Sequence, residues 1–377
     1  MRVLLISGSL PPMRCGVGEY TMCLAKALAK REDATVAILS DVAAGASDPK
    51  EKVEVLPVVE GWTLADAAKI LRRIRDWRPD IVHIQYHTQG YGRHMLPRLL
   101  PSLLRLRKVR VVQSWHECFY ASLARGLPAL PNLIVAGEVV VVKPDYKSMM
   151  HPWYRWLGRH KRFHFIPNAS SIPPVRLSDQ ERSSVRAKHA PAGAHLVAFF
   201  GFPSPGKGME TLFEIVDPRS SCLVLICDLS SADPMHRTFH TYHEQLLDRI
   251  DSEPWAGRVA VTGFLPSEEV GRILAAADAV VFPFRDGGGI WNTSTHAARL
   301  QGTFVLVTAR ERHGYDAAEN VYYAVPGDVA EMRRAVASYM GCRKTDDVPD
   351  AGWESIAEAH MQCYSNALAA HAAGAKL

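Results

Sequence analysis

FPFRDGGGIWNTSTHAARLQG, residues 282–302, joins the end of an apolar run to three consecutive glycines and then to an Asn-Thr-Ser-Thr cluster. This order is typical of a strand, a loop and a capped helix start. Glycines let a ligand approach the backbone, and residues Asn292, Thr293, Ser294 and Thr295 supply hydroxyl and amide groups at the positive end of a helix dipole. Such an end suits a phosphate or diphosphate. A flexible surface loop with an ordinary helix cap is the alternative for this stretch taken alone.

The length and composition indicate two globular domains. A chain of 377 residues is longer than one core usually supports, and 47% apolar with 22% charged residues is ordinary for a soluble protein. The apolar run at the N-terminus is too short for a signal peptide, and no window reaches the roughly 18 apolar residues of a membrane span. The seven cysteines form no CxxC pair, which predicts reduced thiols in the cytoplasm rather than disulfides or a zinc site.

The positive charge is concentrated in one part of the chain. Residues 61–164 contain 18 lysines and arginines against 6 acidic residues, although the net charge of the whole chain is only +5. Basic and apolar residues are mixed in two segments, 93–110 and 151–164. This mixture suits an anionic membrane surface, and the alternative is a surface helix that covers its own core. Nucleic acid is not an expected partner, because no recognition motif accompanies the charge.

Apolar runs of strand length alternate with helix-like segments along nearly the whole chain. The first series of runs lies at 2–6, 35–39, 53–58, 81–84, 109–112, 133–135, 139–142 and 163–166. The second lies at 196–200, 222–226, 259–261, 279–282, 304–307 and 321–324. This alternation predicts α/β domains with parallel sheets covered by helices on both faces. We expect one domain over residues 1–170, a second over 171–350, and a further helix within 351–377.

A loop with a lysine follows the first strand of the second series. GFPSPGKG, residues 201–208, nearly spells a nucleotide-binding P-loop, but Gly208 replaces the hydroxyl residue that holds Mg²⁺, and two prolines remove amide groups. A P-loop nucleotidase is therefore disfavoured. Lys207 remains, at a predicted helix start on the side where open α/β sheets bind ligands. A solvated surface lysine is the alternative.

Two features of the first series could contact a ligand. His116 comes just after a strand in VVQSWHE, residues 111–117, where a histidine can hydrogen-bond a sugar hydroxyl. Gly16 and Gly18 follow the first strand and a long loop, but they lack the third glycine of a dinucleotide fingerprint. A histidine without a functional role and a simple turn are the respective alternatives.

Taken together and in order, these motifs resemble the retaining glycosyltransferases of the GT-B fold, family 4. The matching pieces are PPMRCGVG (11–18), VQSWH (112–116), IPN (166–168), FGFPSPGKG (200–208), VTGFL (261–265), ADAVVFP (277–283) and residues 286–302. The resemblance implies two facing Rossmann-like domains and a last helix that crosses back to the first domain. It also implies that the second domain binds most of a nucleotide-diphosphate sugar and the first binds an acceptor.

The resemblance assigns roles to individual residues of a hexosyltransferase-type enzyme. Lys207 would neutralise the diphosphate, His116 would contact the transferred sugar, and the backbone around Thr293 and Ser294 would hold the diphosphate. Gly263 and Phe264 would flank the base. The remaining implied donor contacts come from Gly16, Gly18, Gly201, Phe202, Gly288, Gly289 and Asn292. No metal or other cofactor is expected, because the lysine and the helix dipole supply the positive charge.

The chain departs from the family pattern at its acidic residues. Phe202 stands where an arginine is common, and the usual pair of glutamates, separated by seven residues, falls on Gly289 and Ala297. Asp286 and His296 are the candidates to replace them, with Asp286 counted among the catalytic residues. Because the pair is missing, two other functions stay open: a non-catalytic subunit that binds a nucleotide sugar or a partner, and a nucleotide-sugar epimerase of the same fold.

Overall fold

The computed structural model describes residues 1–45, 52–135, 137–230, 239–289, 291–344 and 352–374. It divides into two compact units, which are described separately. Unit 1 consists of Met1–Asn168 with Ala351–Leu377, and unit 2 consists of Ala169–Asp350. Each unit contains a seven-stranded sheet with flanking helices, so the predicted α/β class is confirmed.

Unit 1 begins with alternating strands and helices. They are β1 (Arg2–Ile6), α1 (Gly16–Ala29), β2 (Thr35–Asp41), β3 (Val53–Val59), α2 (Ala67–Trp77), β4 (Ile81–Tyr86), α3 (Leu96–Leu106), β5 (Val111–Trp115), α4 (Leu123–Gly126), α5 (Leu130–Val135), β6 (Glu138–Val141), α6 (Tyr146–Met149), α7 (Pro152–Leu157) and β7 (Arg162–Phe165). The strand order is β3-β2-β1-β4-β5-β6-β7, with every pair parallel. The order therefore reverses between β1 and β4, which is where such sheets open a ligand crevice at the carboxyl ends of the strands.

Unit 2 repeats this plan. Its elements are α8 (Asp179–Ala187), β8 (His195–Phe200), α9 (Leu212–Ile215), β9 (Ser221–Ile226), α10 (His240–Asp251), β10 (Val259–Val261), α11 (Ser267–Ala276), β11 (Ala279–Phe282), α12 (Thr293–Leu300), β12 (Val305–Thr308), β13 (Gly314–Asp316), β14 (Val321–Ala324) and α13 (Val329–Tyr339). The order β10-β9-β8-β11-β12-β14-β13 reverses between β8 and β11. Only β13, paired antiparallel to β14, departs from the expected parallel sheet among the described strands.

The chain then returns to unit 1 as one long helix, α14 (Gly352–Gly374). It packs against α1, and its buried side chains include Ile356, Ala357, His360, Cys363 and Tyr364. No helix in the described part of the chain is long and apolar enough to cross a bilayer.

Three local predictions were wrong. Residues 133–135 lie in α5 rather than in a strand, because three apolar residues cannot distinguish the two. The helix expected from residue 208 begins only at Leu212, since Gly208 adopts a left-handed φ of 63° that interrupts it. The spacing of apolar residues predicts a helix over residues 19–30, but α1 begins at Gly16, so Gly16 and Gly18 lie in its first turn.

The basic segment 93–110 forms a core-covering surface helix. Leu96, Leu100 and Leu104 of α3 are fully buried in the core of unit 1. Its apolar stripe therefore packs inward. In the segment 151–164, by contrast, α7 keeps Trp153 and Trp156 42% and 59% exposed.

Candidate functional site

Two loops meet at the carboxyl ends of β8 and β11 in unit 2. Gly201 has a φ of 142°, and a Cβ atom there would lie 3.0 Å from Ser294 Oγ. Gly208 packs more tightly still, since a Cβ atom would lie 2.1 Å from the Pro283 carbonyl oxygen. The loop after β8 and the loop after β11 therefore touch along their length, at the point where the strand order reverses. Gly201 and Ser294, both predicted to bind the donor, are brought together.

Lys207 lies in the first of these loops, within a short 3₁₀ turn. Its ammonium group is 4.5 Å from the centre of the buried Phe284 ring, a cation–π contact that holds the side chain beside the second loop. The backbone N–H of Arg285 donates to the Gly206 carbonyl at 3.1 Å and joins the loops again. Because the following α9 has only four residues, the positive charge here comes from the lysine and not from a helix dipole.

Side chains that the sequence did not single out support the lysine loop. Glu210 accepts from the Arg285 guanidinium at 2.7 Å and from the Tyr242 hydroxyl at 2.7 Å. Burial, followed by the hydrogen bond to Glu210, raises the pKa of Tyr242. The buried His243 donates through Nε2 to the Pro203 carbonyl at 3.0 Å. Helix α10 thus contacts the lysine loop near both of its ends. No local sequence pattern predicts these contacts.

The start of α12 has the predicted cap. Asn292 Oδ1 accepts from the Ser294 N–H at 3.2 Å, and the Asn292 carbonyl accepts from His296 N–H at 2.9 Å. The fully buried Thr295 hydroxyl finds no partner within the described residues. A helix of eight residues that begins with hydroxyl side chains presents those hydroxyls and its positive dipole end.

The three glycines of the second loop serve the packing of that loop. A Cβ atom on Gly288 would lie 2.2 Å from the Phe284 ring, and one on Gly289 would lie 2.0 Å from the Trp291 ring. The Gly288 N–H already donates to the Thr308 carbonyl at 2.7 Å. A side chain at Gly288 or Gly289 would therefore clash with a neighbouring aromatic ring. The Gly288 N–H already has its hydrogen-bond partner within the loop region of unit 2.

The two proposed substitutes for the missing glutamates have different surroundings. The Asp286 carboxylate is exposed and lies 3.2 Å from the Arg310 guanidinium, which also donates to the Asp286 carbonyl at 2.9 Å. His296 is only 4% exposed within α12. The charge of Asp286 is thus offset by an arginine, and the side chain of His296 is almost wholly buried.

The residues predicted to flank the base follow the edge strand β10. Gly263 has a left-handed φ of 71°, and the Phe264 side chain that follows is 57% exposed. β9 separates β10 from β8, so this turn lies two strands from Gly201 along the same edge of the sheet. Phe202, which follows Gly201 directly, is partly buried. An exposed ring beside a glycine turn suits stacking with a planar base.

In unit 1, His116 follows β5 and is partly buried. Its backbone N–H donates to the Tyr86 carbonyl at 3.0 Å, and its Nε2 lies 2.9 Å from Gln85 Oε1. Tyr20 of α1 packs edge-on against its ring at 5.0 Å. Burial, with a smaller contribution from His360, lowers the pKa of His116 to about 3. The imidazole is therefore neutral at physiological pH.

Gly16 and Gly18 have separate reasons to be glycines. A Cβ atom on Gly18 would lie 2.7 Å from the Ser9 carbonyl oxygen, whereas one on Gly16 would meet nothing within 4 Å. Gly18 allows α1 to pack against the loop after β1. The space beside Gly16 is left open by unit 1.

The sheet of unit 1 carries polar side chains on the face that α14 covers, which the sequence did not reveal. Glu138 Oε2 lies 2.6 Å from His164 Nε2, and Arg162 contacts the other carboxylate oxygen. Cys363 completes a group whose possible metal-ligand atoms lie within 4.8 Å of one another. Because Arg162 and His164 already contact the carboxylate, this group is a polar cluster beside α14.

Comparisons with known proteins agree with this geometry. Residues 15–197 match the family described as "Glycosyl transferase 4-like domain". No curated protein sequence matches the chain.

Solved structures share the fold at low identity. Sucrose-phosphate synthase from Thermosynechococcus elongatus is 17% identical with a TM-score of 0.73, over 98% of this chain and 100% of that one. HepE from Anabaena in complex with UDP-glucose is 16% identical with a TM-score of 0.65, over 100% and 99%. The catalytic domain of starch synthase IV from Arabidopsis thaliana, bound to ADP and acarbose, is 13% identical with a TM-score of 0.62, over 98% and 99%. Residues 15–197 thus match a glycosyl transferase 4-like domain, and nearly the whole chain shares the GT-B fold of these structures.

Proposed function

We propose that the protein is a metal-independent, retaining hexosyltransferase that uses a nucleotide-diphosphate sugar. The observation that carries the proposal is the contact between the Lys207 loop and the start of α12 at the strand-order reversal of unit 2. An ammonium group and a capped helix N-terminus on adjoining loops suit a diphosphate. The HepE structure in complex with UDP-glucose and the starch synthase structure with ADP support a donor of this class.

In this proposal the diphosphate, the base and the sugar of the donor each contact residues that the structure describes. The diphosphate lies on the Thr293 N–H group and on the hydroxyls of Thr293 and Ser294, with Lys207 beside it. The base stacks on Phe264, and His116 of unit 1 hydrogen-bonds the sugar. The acceptor is bound by unit 1 and is not identified.

The chemistry requires charge stabilisation rather than a metal. The bond between the anomeric carbon and the diphosphate oxygen breaks, and negative charge develops on the leaving diphosphate. Lys207 and the helix dipole stabilise that charge in place. The acceptor hydroxyl attacks from the same face, and its proton passes to the leaving phosphate oxygen, so the anomeric configuration is retained.

A panel of donors tests the proposal. The protein is incubated with UDP-, GDP-, ADP- and dTDP-sugars in EDTA without acceptor, and released nucleoside diphosphate is measured. We expect slow release from one donor. Tight binding without release from any donor would favour the non-catalytic subunit, and interconversion of the donor sugar would favour the epimerase. Loss of release in EDTA, with recovery on adding a divalent cation, would contradict metal independence.

A second proposal concerns the exposed part of the basic segment 151–164. We propose that α7 contacts an anionic membrane on the cytoplasmic side. Trp153 and Trp156 are both exposed, and the Arg159 guanidinium lies 4.5 Å from the centre of a Trp156 ring. Lys161 donates to the carbonyl of Ile134, whose side chain is 59% exposed. Exposed aromatic and aliphatic side chains ringed by cations suit an anionic lipid surface.

A further inference from the structure

A buried hydrogen-bonded network runs from α14 to His116. The Tyr364 hydroxyl lies 2.7 Å from His83 Nδ1, and the Ser114 hydroxyl lies 2.9 Å from His83 Nε2. Gln85, two residues along β4, contacts the same ring through its amide nitrogen at 3.3 and 3.5 Å. His83, Gln85, Ser114 and Tyr364 are all fully buried. These groups therefore have no water to exchange with, and their partners determine their orientation.

The orientation of Gln85 determines which nitrogen of His116 is protonated. The Gln85 amide nitrogen lies 3.3 and 3.5 Å from the two ring nitrogens of His83, and the amide oxygen lies 2.9 Å from His116 Nε2. An amide oxygen only accepts, so the 2.9 Å contact requires a proton on His116 Nε2. In a neutral imidazole the second nitrogen, Nδ1, then carries a lone pair.

We propose that Gln85 is a positioning residue that holds His116 in the Nε2–H tautomer, so that Nδ1 accepts a hydrogen bond from a hydroxyl of the donor sugar. This inference rests on the proposed function for its ligand, but the tautomer itself does not. It adds to the proposed function that His116 accepts a hydrogen bond from the sugar and does not donate one through Nδ1. A sugar that presents a hydroxyl to Nδ1 is favoured over its deoxy or methoxy analogue at the same carbon.

The surroundings keep His116 uncharged. Tyr20 of α1, His83 of β4 and His360 of α14 are titratable groups close to it, and none of the three supplies a negative charge at neutral pH. The Tyr20 hydroxyl lies 3.4 Å from His360 Nε2, and burial raises the pKa of Tyr20. The acceptor lone pair on Nδ1 therefore persists across the physiological range.

The tautomer is tested first, without any ligand. In protein labelled with ¹⁵N-histidine, two-bond ¹H–¹⁵N correlations distinguish a protonated ring nitrogen from an unprotonated one, and the His116→Gln variant identifies the signal. We expect a protonated Nε2 and an unprotonated Nδ1 that do not change between pH 6 and 8. A protonated Nδ1 in the wild-type protein would overturn the proposal.

The role in transfer is tested with two variants and a control. Gln85→Leu removes the acceptor, and we expect about a threefold to tenfold loss of kcat/KM with a mixed tautomer in the spectrum. Gln85→Glu places a carboxylate beside Nε2, so His116 becomes protonated as the pH falls and turnover declines on the acid side, unlike the wild type. Gln113→Leu is the matched control, because Gln113 is equally buried on β5 but its Oε1 accepts a hydrogen bond from Trp115 Nε1 at 2.7 Å.

The outcomes separate the two claims. If both Gln85 variants keep the wild-type tautomer, turnover and pH profile, the positioning role is wrong. An equal loss in Gln113→Leu would make the effect a general packing defect and would also overturn it. An Nε2–H tautomer in a protein that releases no nucleoside diphosphate from any donor supports the tautomer assignment and refutes the proposed function.

Discussion

Gly16 and Gly18 are one residue apart, yet alanine at the two positions is expected to damage different properties. Both lie in the first turn of α1. A Cβ atom at Gly18 would lie 2.7 Å from the Ser9 carbonyl oxygen and 3.0 Å from its carbon, whereas at Gly16 nothing lies within 4 Å. Gly18→Ala should therefore destabilise unit 1, and Gly16→Ala should affect only a ligand that enters the open space.

The magnitudes follow from these contacts. At Gly18 the atoms in the way are backbone, so the helix must shift, at a cost of about 3 kcal/mol at the upper end for overpacking. Alanine regains at most about 1 kcal/mol in helix propensity, which leaves a net destabilisation of about 2 kcal/mol. For a domain of this size that lowers Tm by about 4 to 8 °C. Gly16→Ala should change the free energy of unfolding by less than about 0.5 kcal/mol.

Urea unfolding and donor turnover measure the two effects separately. Gly16→Ala should lower kcat/KM for the donor about tenfold or more, because a methyl group displaces the phosphate or the sugar from its reacting position. Gly18→Ala should unfold at lower urea concentration, with its remaining folded fraction active. Equal stability of the two variants would refute the packing argument, and full turnover by Gly16→Ala would refute the contact between this turn and the donor.

The remaining predictions concern charge and surface. Lys207→Ala should cost about 1.5 to 3 kcal/mol in nucleoside-diphosphate binding by calorimetry or in turnover, and the exposed Lys188→Ala should cost nothing; equal effects would refute the assignment. Burial lowers the pKa of His360 to about 4, below the ordinary 6.5, so the unfolded state binds more protons between these values. The free energy of unfolding should be constant above pH 6.5 and fall on acidification towards pH 4, by up to about 1.4 kcal/mol per pH unit for this residue. Urea midpoints that do not fall over this pH range would contradict the prediction. Alanine at both Trp153 and Trp156 should weaken binding to anionic vesicles about tenfold at low salt, and wild-type protein that does not pellet with them at low salt would rule out the membrane contact.

Local patterns predicted most of the elements. Strands β1 and β11 have the expected bounds, and Asn292 with the residues after it predicted the capped start of α12. The errors occurred where the local signal was short or ambiguous, as at residues 133–135 and around Gly208. In the second case a left-handed glycine, fixed by the nearby Pro283 carbonyl, prevents the helix that composition alone favours.

The sequence by itself determined the α/β class, the two series of strands and the order of motifs that place Lys207, His116 and Ser294 after strands. These properties depend on periodicity and turn chemistry, which neighbouring residues encode. Only the tertiary structure decided that Gly288 and Gly18 serve packing while the space at Gly16 stays open. It also decided the partners of His116, because the network behind that residue joins side chains as far apart as His83 and Tyr364, separated by 281 positions in the chain. Such contacts form when a helix covers a sheet face, and no local pattern records which helix that will be.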